Sequence, residues 1–171
     1  MRTLTIYPIF LLIICSSSVH GIDRPNNQQP LQIDANSIQH NDARAVTKFI
    51  GNVVLIRGDL TLKGDSLILN QTEDGLSFGK VKGSPAVFQT RRTVEDSWVK
   101  GQALELDYDE RNSMFLLKGN ARLVRLENGK IKEEVSGDEL SYNSDSEIYK
   151  AITEPGETRT RMTVIPKPSN E

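Results

Sequence analysis

The chain has 171 residues, with 21 lysines and arginines against 23 aspartates and glutamates. This slightly acidic balance argues against a nucleic-acid partner, because nucleic-acid-binding domains normally carry a basic excess. Cys15 is the one cysteine, and His20 and His40 are the two histidines, so neither an internal disulfide nor a histidine-centred metal site or Ser-His-Asp arrangement is supported. Composition predicts one domain that has no disulfide bond, metal or other cofactor.

The N-terminal segment has the layout of a secretory signal. Arg2 gives a positive start, residues 4–15 are apolar, and residues 16–21 are small or polar. The apolar run is short for a membrane span, which needs about 20 residues, although an uncleaved anchor is an alternative. We therefore predict a cleavable signal peptide over residues 1–21. Residues 22–30 are polar and proline-rich, which predicts a flexible lead-in.

Alternating apolar residues predict β-strands from the start of the mature chain. Leu31 and Ile33 indicate a first strand near a sheet edge. Between residues 48 and 70, apolar residues fall on every second position in pairs, with a glycine between successive pairs. The pairs are Val53 with Leu55, Leu60 with Leu62, and Leu67 with Leu69, and the glycines are Gly51, Gly58 and Gly64. This pattern predicts three short strands with one apolar face, and glycines at the tight reversals between them.

Two glycine-headed signatures then alternate along the chain. One occurs as GDSLILN from Gly64, GQALELDY from Gly101 and GDELSYN from Gly137, and the other as GNVVL from Gly51, GSPAVF from Gly83 and GNARL from Gly119. From residue 64 to residue 156, glycines recur every 18 or 19 residues, which indicates stacked hairpins. The dipeptide Asn128-Gly129 is the strongest hairpin turn signal, because a primed turn needs two successive positive φ angles.

The repeat predicts the fold class and the domain boundaries. No segment shows a helical period, so we predict an all-β domain over residues 31–165, followed by a tail at 166–171. A sheet folded over on itself can bury one face without helices. The predicted architecture is therefore a twisted, open β-jelly roll, or β-taco, of many short antiparallel strands.

The inward positions are mostly aliphatic, and aromatic residues inside strands are few: Phe88, Tyr108, Phe115 and Tyr142. Aliphatic walls of even width suit acyl chains, whereas a closed sandwich core would normally hold more aromatic rings. The pattern alone leaves two alternatives open. One is a lipid groove, and the other is a structural β-repeat protein, solenoid or adhesin-like, with a closed core.

Paired acids are the basis of an enzyme hypothesis. Asp107 with Asp109, and Asp138 with Glu139, could serve as the carboxylate pair of an exported glycan hydrolase. These acids are expected to face solvent across from the apolar face, where nothing would raise a carboxyl pKa. We therefore predict that the protein is not an enzyme.

Several segments together resemble one known family. They are QPLQIDANS, FIGNVVLIRGDLTLKGDSLILN, KGSPAVFQ, VKGQALELDYDERNSMFLLKGNARL and SGDELSYN, behind a signal peptide, and they cover roughly residues 29–165. The chain is similar to the OstA-like family of periplasmic lipopolysaccharide-transport proteins. The resemblance implies an apolar groove that binds the lipid A part of lipopolysaccharide. It also implies end-to-end self-association through edge strands, in a bridge between an inner-membrane exporter component and an outer-membrane insertion component.

On this resemblance the groove is lined by apolar residues of several strands. Leu31, Ile33, Phe88 and Tyr108 match groove positions of the family, and the rest follow from strand parity: Val53, Leu55, Leu60, Leu62, Leu67, Leu69, Leu104, Leu106 and Leu116. The edge at residues 31–35 is expected to meet the exporter component, and the edge at residues 158–165 the downstream partner. Arg159, Arg161 and Lys167 are either phosphate contacts or ordinary solvated charges.

Overall fold

The computed structural model describes residues 29–72, 77–92, 96–153, 156 and 159–166. Within them the chain forms ten strands: β1 Gln32–Asp34, β2 Ser37–Asn41, β3 Val46–Arg57, β4 Leu60–Gln71, β5 Ser77–Arg91, β6 Ser97–Asp109, β7 Met114–Glu127, β8 Lys130–Asn143, β9 Ile148–Ile152 and β10 Arg161–Val164. A turn of 3₁₀ helix, Asp42–Arg44, joins β2 to β3. The predicted signal peptide and most of the predicted lead-in and tail lie outside the described residues.

All the described strands belong to one antiparallel sheet, which confirms the all-β prediction. Strands β3 to β8 pair in chain order, each with the next, and they are 12 to 15 residues long. These six strands are longer than the sequence pattern predicted. No described residue belongs to a helix long and apolar enough to cross a membrane.

Each long edge of the sheet is covered by two short strands instead of one long one. On one side, β1 pairs with residues 54–56 of β3 and β2 pairs with residues 46–50 of the same strand. On the other side, β10 pairs with residues 133–136 of β8 and β9 pairs with residues 139–143. The two edges therefore have the same design.

A line of irregular pairing crosses the middle of the sheet. Every neighbouring pair from β3 to β8 shifts register near its centre: at Ile50/Val53, Lys63/Ser66, Lys82/Ala86, Gln102/Glu105 and Lys118/Ala121. Such β-bulges bend a strand and increase its local twist. We call this line the crease.

The repeated glycines lie at or beside the crease, and not at the reversals where the sequence placed them. Gly51 and Asn52 in β3, like Gly119 and Asn120 in β7, adopt positive φ angles of 47–81° inside the strand. Only glycine takes such angles without steric cost, and asparagine takes them more readily than most residues. The Gly-Asn signature is therefore a bulge signature. Gly58 does lie in a reversal, the turn between β3 and β4, and has a φ of 56°.

Asn128 and Gly129 form the predicted tight turn between β7 and β8. Their φ angles are 51° and 71°, as a primed hairpin turn requires. This turn prediction is confirmed.

The crease divides the sheet into two leaves that face each other. Leaf A comprises residues 46–50, 66–71, 77–82, 105–109, 114–118 and 139–143, and leaf B comprises residues 53–57, 60–64, 86–91, 97–103, 121–127 and 130–137. Phe88 of leaf B stacks on Phe115 of leaf A with ring centroids 4.3 Å apart, although their strands, β5 and β7, are not sheet neighbours. The core therefore lies between the leaves.

Candidate functional site

The space between the leaves is lined by one continuous apolar face. Its buried members come from both leaves: Phe49, Val53, Leu55, Leu60, Leu62, Leu67, Leu69, Val81, Ala86, Phe88, Val99, Ala103, Leu106, Phe115, Leu117, Ala121, Leu123, Val135, Leu140 and Tyr142. Leu31, Ile33 and Tyr108 are partly buried and pack against this cluster. The period of two produces this face within each leaf, because alternate side chains of a strand point to the same side.

The structure places eleven of the thirteen sequence-predicted groove residues on this inner face. The two exceptions are Leu104 and Leu116, whose predicted positions are wrong. Leu104 is 51% exposed, while Ala103 and Leu106 are both buried. The bulge between Gln102 and Glu105 changes the parity of β6, so Leu104 falls on the outer face, where it covers Gly119 of β7. The prediction for Leu104 was wrong because it assumed that inward and outward residues alternate strictly through the bulge.

Leu116 lies on the outer face for a simpler reason. Its chain neighbours Phe115 and Leu117 are both buried between the leaves, so the residue between them points the other way. Its sheet neighbours are Asp107 and Ser141. An apolar residue type alone did not identify the inner face of β7, on which Phe115 and Leu117 lie.

Several inner-face residues were not among those predicted from the sequence. These include Phe49, Val81, Val99, Leu123 and Val135, each of which obeys the period of two when it is counted within its own leaf. Counting outward from the glycines on each side of the crease would have found them.

Four aromatic rings form a stacked group in the interior. Beside the Phe88–Phe115 pair, Tyr108 stacks on Phe115 at 4.7 Å, and Tyr142 lies 6.2 Å from both phenylalanines. Burial raises the pKa of Tyr142 to about 12, and burial also raises that of Tyr108. The Tyr142 hydroxyl has no hydrogen-bond partner among the described residues. The tyrosine rings therefore serve as apolar surface at neutral pH.

Among the described residues, the side chains of the buried cluster are at most 7% exposed, so they fill the interior in this conformation. A void of about 10 Å³ lies between Leu31, Leu55, Leu69 and Tyr108, which is room for about one water molecule. The leaves must therefore part before an acyl chain can lie between them.

Polar contacts join the free rims of the two leaves, opposite the crease. The rim of leaf B is formed by the ends of β3, β5 and β7, and the rim of leaf A by the ends of β4, β6 and β8. Arg57, at the end of β3, forms an ion pair with Glu110, just after β6. The backbone N–H of Ser77 donates to the other carboxylate oxygen of Glu110 at 2.8 Å. This contact crosses between leaves and is buried.

Two further contacts cross the same opening. Arg92, just after β5, forms an ion pair with Glu147, which lies between β8 and β9. Tyr149 of β9 donates to Glu133 of β8, and Arg125 pairs with the same carboxylate at 2.9 Å. Burial, together with the hydrogen bond to Glu133, raises the pKa of Tyr149 to about 12. We call the side bounded by these contacts the mouth.

Comparison with known proteins assigns the chain to a family. The family profile described as "LptA/(LptD N-terminal domain) LPS transport protein" matches residues 32–148, more than half of the chain. The chain belongs to this LPS-transport family. It is 24% identical to the lipopolysaccharide export system protein LptH of Pseudomonas aeruginosa, over 98% of both chains. It is also 24% identical to the lipopolysaccharide export system protein LptA of Haemophilus influenzae, over 92% of this chain and 88% of that one.

A solved structure has the same fold. The crystal structure of LptH, the LptA-homologous periplasmic component of the lipopolysaccharide transport device of Pseudomonas aeruginosa, superposes with a TM-score of 0.74 at 22% identity. The match covers 82% of this chain and 99% of that chain. The predicted β-jelly-roll architecture is thereby confirmed for this member of the LPS-transport family.

Two of the acids considered for catalysis, Asp107 and Asp109, have structural partners in this LPS-transport family member. Asp107 lies on the outer face of leaf A and pairs with Lys80 at 2.9 Å and Lys118 at 3.2 Å. Asp109 accepts a hydrogen bond from the side chain of Asn112 at 2.7 Å. Among the described residues, no three His, Cys, Asp or Glu side chains cluster as metal ligands would. The outer face of leaf A is thus an ion-paired surface.

The edges of this family member carry exposed apolar side chains. Ile38 of β2, Ile148 and Ile152 of β9, and Met162 and Val164 of β10 are all more than half exposed. Among the described residues, β1 and β10 are paired on one side only. These strands therefore offer unpaired backbone groups and apolar surface together.

The arginines singled out near the C-terminus do not face the interior. Arg159 and Arg161 are exposed and border a polar depression of about 770 Å³ that Arg122 and Asp138 also line. Lys167 and Thr158 lie outside the described residues. The structure does not bring these arginines to the apolar face.

Proposed function

We propose that the protein is a periplasmic carrier that binds the lipid A part of lipopolysaccharide between its two leaves. The observation that carries this proposal is the apolar face that runs unbroken through both leaves, in a chain that belongs to the LPS-transport family. Thirteen residues were predicted to line the groove, and the eleven on the inner face are retained as candidates: Leu31, Ile33, Val53, Leu55, Leu60, Leu62, Leu67, Leu69, Phe88, Leu106 and Tyr108.

The size of the hydrophobic effect explains why such a carrier is needed. Each CH₂ group moved from water into an apolar environment gains about 0.8 kcal/mol, so a 12-carbon chain exposed to water costs on the order of 10 kcal/mol. A lipid with several chains cannot cross an aqueous compartment free at a useful rate. Within a groove the chains stay shielded, and transfer between equivalent grooves is nearly neutral. The direction of transport must then come from an energy source outside this protein.

The filled interior is compatible with this role. Acyl chains that part the leaves would take over the apolar contacts that the two leaves now make with each other. The side chains that pack across the interior, such as Phe88 against Phe115, keep an apolar neighbour in either state. Opening therefore exposes little apolar surface to water when a lipid is present, and much more when none is.

The two edges support end-to-end assembly. Pairing of one copy's edge with that of another, or with an edge strand of a partner, would satisfy the free backbone groups by β-augmentation. We propose that the β1/β2 edge meets an inner-membrane exporter component and that the β9/β10 edge meets an outer-membrane insertion component or a second copy. Residues 1–21 would direct export to the periplasm as a cleavable signal.

Site-specific photo-crosslinking tests the proposal in cells that make lipopolysaccharide. A photoreactive residue replaces Leu106, which is buried between the leaves, or Leu104, which is the matched outward-facing leucine two positions earlier. We expect lipopolysaccharide adducts from position 106 and none from position 104. Absence of adducts at position 106, with the protein exported and folded, would instead support the structural β-repeat hypothesis with a closed core.

A further inference from the structure

Two arginines stand at the same rim of the mouth. Arg57 is the last residue of β3, and Arg92 directly follows β5. These strands are both in leaf B and are separated by one strand, β4, so their axes lie about 10 Å apart. Both side chains are about nine-tenths buried, with 10% of Arg57 and 11% of Arg92 exposed. The rim of leaf B thus carries two positive charges at the border of the apolar interior.

The partners of both arginines come from the opposite leaf. Arg57 pairs with Glu110 and Arg92 pairs with Glu147, across sequence separations of 53 and 55 residues. By contrast, Arg122 and Glu134 form a bidentate pair within leaf B, with both N···O distances at 2.7 Å. The Arg122–Glu134 pair stays intact when the two leaves separate. It breaks the pairs of Arg57 and Arg92.

Breaking a buried ion pair is unfavourable unless each charge finds a new partner. An unpaired charge left in a poorly solvated site is strongly unfavourable. The Nε of Arg57 and the hydroxyl of Ser77 already have no hydrogen-bond partner among the described residues. In the closed state the rim therefore has polar atoms that could still form hydrogen bonds. They lie beside the void lined by Leu55 and Tyr108.

We propose that Arg57 and Arg92 form a binding site for phosphate groups of an amphiphile whose acyl chains lie between the leaves. Glu110 and Glu147 occupy this site while the mouth is closed. The inference rests on the proposed function, because it takes the interior as the place of the chains. It adds the headgroup chemistry that this chain's rim recognises.

Replacement of the two carboxylates by phosphate groups explains how a closed interior opens for one class of ligand. A guanidinium group binds phosphate through two parallel N–H···O bonds, as it binds a carboxylate. A phosphate that replaces Glu110 on Arg57 keeps the arginine paired, while Glu110 retains the backbone N–H of Ser77 in its own leaf. An uncharged amphiphile offers no such replacement. Opening is therefore coupled to recognition of the anionic headgroup.

Two lipids that differ only in the phosphate test this site. Myristoyl lysophosphatidic acid and monomyristoylglycerol have the same acyl chain, and their affinities for the full mature protein can be compared by calorimetry below the concentrations at which they aggregate. We expect the phosphate-bearing lipid to bind on the order of tenfold more tightly, as charge-assisted hydrogen bonds imply. In R57Q/R92Q this preference is lost.

Arg91 provides the matched control. Its guanidinium lies over the ring of Trp98, 5.4 Å from the ring centroid, and its Nε is 3.9 Å from a carboxylate oxygen of Asp59. R91Q removes one positive charge next to Arg92 in sequence without touching the mouth, so the phosphate preference should persist. If R91Q loses the preference for the phosphate-bearing lipid as fully as R57Q/R92Q does, the preference reflects general charge attraction. That result would overturn the proposed phosphate site.

A second variant keeps the test decisive if R57Q/R92Q fails to fold, as judged by its circular dichroism. E110Q/E147Q removes the competing carboxylates and should raise the affinity for lysophosphatidic acid severalfold; an unchanged affinity would overturn the exchange. Equal binding of both lipids by the unmodified protein would refute the phosphate site and leave the carrier function standing. Binding of neither lipid would reject the acyl-chain site and the phosphate site together.

Discussion

The ring of Phe88 lies nearly parallel to that of Phe115, with an interplanar angle of 10° and centroids 4.3 Å apart. The two residues belong to different leaves, so this stack measures how closely the leaves approach. The contact depends on the fold and not on sheet pairing, since β6 separates the two strands.

Replacing Phe88 with alanine should therefore destabilise the closed state. The ring is fully buried, and loss of such a phenylalanine costs about 3–5 kcal/mol of unfolding free energy. Phe78 is the matched control, because it lies on the same strand but is 37% exposed, and F78A should cost less than about 1 kcal/mol. Urea denaturation measures both. Equal effects of the two variants would contradict a packed interface between the leaves.

Gly101 is predicted to be intolerant of even one methyl group. A Cβ atom at this position would lie 2.0 Å from a ring carbon of Phe88 and 2.8 Å from a methyl carbon of Leu117. Gly101→Ala should therefore cost about 1–3 kcal/mol, the range expected for overpacking. At Gly79 the nearest atom would be 3.4 Å away, so Gly79→Ala should be close to neutral. A Gly101→Ala protein as stable as Gly79→Ala, by the same denaturation assay, would show that the interior is not tightly packed around Gly101.

Stability should fall in acid partly through Glu105. Hydrogen bonds from Lys80 and Lys82 hold the pKa of this carboxyl below its ordinary value of 4.5 in the folded protein. A group with a lowered pKa stabilises the fold above its unfolded pKa, and that contribution is lost as the pH falls below about 4.5 and through the folded value. Urea midpoints measured from pH 7 to pH 3 should therefore decline less steeply in Glu105→Gln than in the unmodified protein. Identical slopes would rule out this contribution.

Tyr142 should make the fold sensitive to alkaline pH. Its pKa is raised from 10 to about 12, so the unfolded chain ionises first and stability is lost as the pH rises from about 10 to 12. Tyr142→Phe should weaken this loss. At neutral pH it should be neutral or slightly stabilising, because it removes a hydroxyl without a partner.

Tyr149→Phe is the comparison for that variant. It removes a hydroxyl that donates to Glu133, so at neutral pH it should cost about 1–2 kcal/mol. Thermal or urea unfolding of both variants separates the two cases. A larger cost at neutral pH for Tyr142→Phe than for Tyr149→Phe would reverse our assignment of the two hydroxyls.

If copies of the protein pair through their edge strands, the protein should self-associate in a way that depends on its concentration. Val164 is 60% exposed on β10, and a lysine there should weaken pairing through this edge by placing a charge in the contact. Sedimentation velocity of Val164→Lys should show a smaller share of oligomers than the unmodified protein at equal concentration. Leu104→Lys, on the outer face of β6 in the middle of the sheet, is the control. Equal association of both variants would exclude this edge.

Much of the fold could be predicted from the sequence, because the period of two holds within each leaf. It correctly placed residues such as Val53, Leu55 and Leu67 on one face. It failed at the crease, where a bulge reverses parity without changing the composition, and this misplaced Leu104. The glycine spacing was found but was assigned to reversals, because a glycine at positive φ has the same sequence appearance in a turn and in a bulge.

The mouth could not be predicted from the sequence. Arg57 and Glu110 are 53 residues apart, and nothing local indicates that they meet. Their contact follows from folding one leaf over the other, which depends on the angle that the bulges create. Charged residues at strand ends are otherwise normally exposed.

The crease has a consequence for how long the molecule can be. It does not stop at β3 and β8: β1 and β2 part at Asn36, whose N–H donates to Gly51 at 2.9 Å, and β9 and β10 part beside Gly137. The division into two leaves therefore continues to both edges of the sheet. Strands that pair in register with either edge, from whichever chain they come, would continue both leaves and the space between them.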